Sequence, residues 1–157
     1  MRLFVFALSL AGSLFIAGEV PLVAADNACA LLTQMQVGSA LGVPVGAGAP
    51  IGRPSACQWA GKGKIATLTI TQPLAGKSPV DRFNTGKTST LPGITQEPVS
   101  GVGDDAFFVY YANTTRAGLG IVVKKGTSAF EVRVYGFDIN DAKAVAKNLA
   151  TNALGKL

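Results

Sequence analysis

Two adjacent carboxylates, Asp104 and Asp105, stand in the stretch SGVGDDAFFVYYANTT (100–115), behind a glycine-rich turn and ahead of four aromatics. Paired carboxylates can do general acid–base work or hold a hard cation. Neighbouring residues of an extended strand point to opposite faces, so this pair converges on one substrate only if the backbone turns there. A calcium loop would carry more oxygen ligands at alternating spacing, and these are missing. No metal ligand set is therefore expected. The chemistry left to the pair is that of a small hydrolase-type enzyme using Asp104/Asp105.

Other chemistries are absent by residue type. The chain has no histidine, which excludes Ser-His-Asp and Cys-His catalysis and the common zinc sites. It has no S-x-x-K serine motif. NTGKTS (84–89) resembles the tail of a phosphate-binding loop, but Asp81 replaces the required earlier glycine and the segment ends a helix instead of opening one. Gly101-x-Gly103-x-x-Ala106 fits a relaxed dinucleotide pattern, yet a β-prone aromatic run follows it where a helix is required. No cofactor is expected.

The elements that must position these residues belong to a chain of 157 residues, room for one domain. Arg2, the apolar run 3–18 and the small residues of Val23-Ala24-Ala25 form a signal peptide, residues 1–25, cleaved to leave a single domain over 26–157. The apolar run is too short and too early for a membrane span, so the mature form is expected to have none, and to be secreted or periplasmic. Two cysteines remain, Cys29 and Cys57. In an oxidising compartment they are most simply a disulfide, worth roughly 3.5 kcal/mol for a loop of this length. The formal charge of +5 is scattered. Its local clusters, Lys62/Lys64 and Lys124/Lys125, sit beside glycines as solvated turn lysines, and no nucleic-acid partner is expected. Asn113-Thr114-Thr115 is a glycosylation acceptor sequence.

Thr33 and Gln36 form a capping box for a first helix, with Leu32 and Val37 as its staple and Gly42 as its end. A short turn over 27–32 precedes it and carries Cys29. VPVGAGAPIGRP (43–54) reads as a connector. Strands are expected at 57–60 and 65–71, the second with Ala66, Leu68 and Ile70 on one face and threonines on the other, and Trp59 in the core. Ser78-Pro79-Val80-Asp81 starts a short helix that Gly86 would end. Further strands are expected at 94–97, along FFVYY, at 119–125 and at 129–135. Asn140 caps a last helix with Ala142, Val145, Ala146, Leu149 and Ala153 as its apolar stripe. Hairpins dominate, which implies the α+β class: a single antiparallel β-sheet of about six strands, with N- and C-terminal helices packed mainly on one face.

CALLTQMQVGSALG, ACQW and GVGDDAFF together resemble small secreted or lipid-anchored bacterial envelope proteins of unknown function. In these a Cys-x-Leu-Leu helix opening, a Cys-x-Trp strand and a Gly-x-Gly-Asp-(Asp/Glu)-Ala turn recur, and some look related to the PsbP-like fold. The resemblance implies the Cys29–Cys57 disulfide and supplies no catalytic residues. This chain lacks the lipid-attachment cysteine of the anchored members.

The function expected is that of a non-enzymatic secreted or periplasmic binding or accessory protein of the bacterial cell envelope. Its partner would be an envelope protein or a small ligand. An inhibitor of a secreted hydrolase is a further alternative to the Asp104/Asp105 enzyme. Phe107, Val109 and Tyr111 form one face of the aromatic strand, Phe108 and Tyr110 the other. Whichever set lies inward, two or more rings fall outside the core. The expected ligand-binding residues are Phe108, Tyr110, Arg133 and Tyr135, with a homodimer mate or a loop as the alternative cover for the rings.

Overall fold

The computed structural model describes residues 27–111 and 118–157. The predicted signal peptide and the Asn113 acceptor sequence lie outside the described residues. The chain opens with a 3-10 turn, Ala28–Ala30, and helix α1, Gln34–Leu41, whose Thr33/Gln36 capping box is complete. Strands β1 (Ala49–Ile51), β2 (Arg53–Gly61) and β3 (Lys64–Ile70) follow, then helix α2 (Pro79–Lys87). Strands β4 (Ile94–Val99), β5 (Asp105–Tyr111), β6 (Leu119–Lys125) and β7 (Ser128–Tyr135) lead to helix α3, Ile139–Leu154.

The strands form one antiparallel sheet of seven, in the order β1-β2-β3-β7-β6-β5-β4. Seven replaces the expected six because the stretch read as a connector contains β1, which pairs with β2 through a bulge at Pro50/Ile51. Glycine and proline density hides a three-residue edge strand. Two helix limits also differ from expectation. Asp138, not Asn140, caps α3 through its side chain, and α2 runs past Gly86 to Lys87.

The main core lies on one face of the sheet. Cys57, Leu68, Val132, Ile121 and Phe108 align across five strands by register, and α1 and α3 cover them. Trp59 is buried in this core, as its spacing from Cys57 predicts. Cys29 and Cys57 are joined, with Cα atoms 5.1 Å apart, tying the opening turn to β2. Lys64 is less solvated than its turn position implies: its ammonium donates to the Leu41 carbonyl at the end of α1 and lies 4.3 Å from the Phe137 ring.

Between β3 and β4 the chain must travel from mid-sheet to the far edge, and it does so over the opposite face. Helix α2 lies on this route. Its Phe83 packs on Phe107, ring centroids 5.2 Å apart, beside Val109 and Ala129, making a second, smaller core. The aromatic strand is thus covered on both faces from within the chain. Arg82 donates to the Gln72 carbonyl in the connector after β3 at 2.6 Å, and Lys87 pairs with Asp105 of β5 at 2.7 Å, tying the last turn of α2 to the sheet.

Candidate functional site

The two carboxylates that could do chemistry do not converge. Asp104 lies before β5, where its side chain accepts from the Gly126 backbone N–H at 2.7 Å and from Lys125 at 3.2 Å. Its own N–H donates to the Lys124 carbonyl at 2.9 Å. Gly103, at φ +62°, passes so close to that carbonyl that a side chain would collide with it. Asp104 therefore latches the β4–β5 turn onto the tip of the β6–β7 hairpin, and the Gly126 N–H, seconded by Lys125, holds its carboxyl below the usual range. Asp105 is the first residue of β5 and pairs with Lys87 of α2. Among the described residues no three His, Cys, Asp or Glu side chains group as metal ligands.

The four predicted ligand-binding residues divide between the two faces. Phe108 and Tyr110 share the face of Ile121 and Leu119, under α3. The Tyr110 hydroxyl donates to Glu97 of β4, and Lys143 of α3 donates to both Glu97 oxygens at 2.9 and 3.0 Å. These rings belong to the α3 contact. Arg133 and Tyr135 lie on the opposite face, where the residue that joins them is Tyr111. FFVYY is apolar on both faces because both are covered, so its alternation alone could not assign the sets.

A cleft of about 630 Å³ opens on this second face, beyond the reach of α2. Its floor is built by strand alternation: Gln58 of β2, Thr67 and Thr69 of β3, and Arg133 and Tyr135 of β7 all point the same way. The β1–β2 bulge raises Ile51 and Arg53 along one rim, and Tyr111 forms the opposite wall. Its size falls within the roughly 300–1,000 Å³ usual for ligand sites.

At the centre Arg133 donates from Nε and a terminal nitrogen to Glu131 Oε1, at 3.1 and 2.8 Å. The Tyr111 hydroxyl donates to the same oxygen at 3.0 Å, and the guanidinium stacks 3.9 Å from the Tyr111 ring centre. Glycines on β6 and just before it make this possible. A side chain at Gly120 would strike Glu131 and Val109, and one at Gly118 would strike the Tyr135 ring. Burial, reinforced by the Glu131 charge, raises the Tyr111 pKa well above the phenol range, so the hydroxyl remains a donor. Burial opposes the Arg133 charge, but Glu131 outweighs it and the guanidinium stays ionised. The cluster is thus a rigid, charged stacking platform: it can orient a bound group, and Tyr111 has no proton to give up near neutral pH.

No family model matches this chain, and no curated protein or solved structure matches it. The site must speak for itself. Of the four expected ligand-binding residues, Arg133 and Tyr135 line the cleft, which Tyr111, Ile51 and Arg53, not among those four, also line. The Glu131-x-Arg133 spacing was the available signal for the platform, since residues two apart on a strand share a face. The rim gave none, because its strand lies inside a glycine-rich segment. Among the described residues no helix is long and apolar enough to cross a membrane.

Proposed function

We propose that this protein is an extracytoplasmic binding module of the bacterial cell envelope, non-enzymatic, which holds a small ligand in the cleft over β2, β3 and β7. The observation that carries this reading is the cleft itself: a concave site on a rigid sheet, with Tyr111 and Tyr135 for stacking and Gln58, Thr67, Thr69 and Arg133 for polar contacts. The disulfide agrees with an oxidising compartment. The three sequence motifs and their likeness to small envelope proteins agree with the setting.

The test is a fragment screen by amide chemical shifts on isotope-labelled protein. Ligands should perturb Gln58, Thr67, Thr69 and Arg133, and Thr67→Trp, which fills the floor, should abolish those shifts while the remaining spectrum stays dispersed. Hits scattered over other surfaces, or hits indifferent to Thr67→Trp, overturn the assignment.

A further inference from the structure

Beside the cleft, and on the same sheet face, lies a second recess of about 260 Å³ beneath α2. Its lining is mainly apolar: Phe83, Phe107, Val109, Val122 and Ile94, with Leu91 at the mouth. Leu91 is 62% exposed, so the mouth of the recess is apolar. Tyr111 lines both recesses, so its ring is the wall they share. From Thr69 of β3 in the cleft the floor passes to Thr71, just beyond the strand, in the recess. The charge distribution is equally uneven. Glu131 already neutralises Arg133, whereas Arg53, exposed on the cleft rim, has no hydrogen-bond or ion-pair partner among the described residues. Among the described residues the cleft thus offers one cation without a partner beside polar floor groups, whereas the adjoining recess is mainly apolar and the cation on its lining, Arg82, donates to the Gln72 carbonyl.

We propose that the ligand is a single-chain amphiphile with an anionic head, carboxylate or phosphate. The head lies in the cleft against Arg53 and the threonine floor, and the chain passes Tyr111 into the recess under α2. This rests on the cleft being the binding site and adds the chemical class. It assigns α2 a role beyond covering the sheet: Gly86 lines the recess opposite the Phe107 ring, so a large side chain there would fill it.

The experiment titrates labelled full-length mature protein with decanoate, decyl phosphate, decyl maltoside, acetate and inorganic phosphate, each below its micelle-forming concentration. The expected result is that decanoate or decyl phosphate shifts Arg53, Thr67 and Thr69 together with Phe83, Gly86 and Val122. Acetate, phosphate and the uncharged maltoside should bind at least tenfold more weakly. The preferred head then separates carboxylate from phosphate. Arg53→Gln should weaken binding of the anionic amphiphile by about tenfold or more. Gly86→Leu should move the preference to shorter chains, by about fourfold for each methylene no longer buried. If the maltoside binds as well as the anions, or if cleft ligands from the fragment screen leave Phe83, Gly86 and Val122 unmoved, the amphiphile is wrong and the cleft reading stands. If nothing in either set perturbs the cleft, both fall.

Discussion

Replacing Glu131 by Gln keeps the shape of the side chain and one acceptor oxygen but removes the charge that holds Arg133. The pair is 24% exposed at Glu131 and 29% at Arg133, between a surface bridge and a buried one. A surface bridge contributes about 0–1 kcal/mol, whereas breaking a buried one costs about 3–5 kcal/mol because a charge is left stranded. Two guanidinium hydrogen bonds and the Tyr111 hydroxyl converge on one oxygen. Solvent screening at this exposure places the cost of Glu131→Gln at about 2 kcal/mol, between the surface and the buried ranges. In a double-mutant cycle with Arg133→Gln the coupling should be about 1–1.5 kcal/mol. Urea unfolding followed by far-UV circular dichroism, with Trp59 fluorescence as a second probe of the main core, measures both. A pair this enclosed keeps more than half of its coupling in about 0.5 M salt, where an exposed bridge is largely screened. A coupling below about 0.3 kcal/mol, or one that salt abolishes, would refute the picture of a pre-organised platform.

Phe83→Ala should cost about 3 kcal/mol, since it empties the second core opposite Phe107; a loss under about 1 kcal/mol in urea unfolding would mean that α2 is not anchored there. The double variant Cys29→Ser/Cys57→Ser should lose about 3.5 kcal/mol and gain sensitivity to heat, and a melting temperature unchanged by reductant in the parent protein would contradict this. Asp104, Asp81 and Glu97 all have carboxyl pKa values below their ordinary ones, held chiefly by the Gly126 N–H, by Ser78 and by the Tyr110 hydroxyl. In each case the unfolded chain takes up its proton first, so their stabilisation is complete at neutral pH and is lost as pH falls below about 4.5. Asp104→Asn should flatten that acid limb in urea midpoints measured from pH 7 to about pH 2.5; an unchanged limb would show that the hairpin latch carries no linkage.

The elements with local signals were legible. The Thr33/Gln36 box, the Ser78-Pro79 start and the alternation of Ala66, Leu68 and Ile70 each depend on residues a few positions apart, so the sequence displays them directly. What stayed hidden depended on distant partners. Asp138 and Asn140 are both good cap residues, and it is Asp138 whose side chain accepts from the Asn140 and Asp141 N–H groups. The faces of FFVYY depend on which helix crosses which side of the sheet, and so did the membership of the site. Phe108 and Tyr110 were assigned with Arg133 and Tyr135, whereas register places them on opposite sides.

The position of the cleft follows from a mismatch of lengths. Helix α2 has nine residues and spans about 13 Å, whereas seven strands at about 4.8 Å spacing make a sheet roughly 29 Å wide. A helix of that length lying on the second face leaves part of it bare. The helix lies over β6 and β7; on one side of it β5 presents Phe107 and Val109, which Phe83 covers, but on the other side β3 presents Thr67 and Thr69. The change from rings to threonines marks where α2 stops covering the sheet. Asp105, at the start of β5, pairs with Lys87 in the last turn of α2. The adjacent carboxylates therefore do separate structural work, Asp104 on a hairpin tip and Asp105 under a helix end, and the open surface that α2 leaves between Tyr111 and Arg53 is where a ligand can sit.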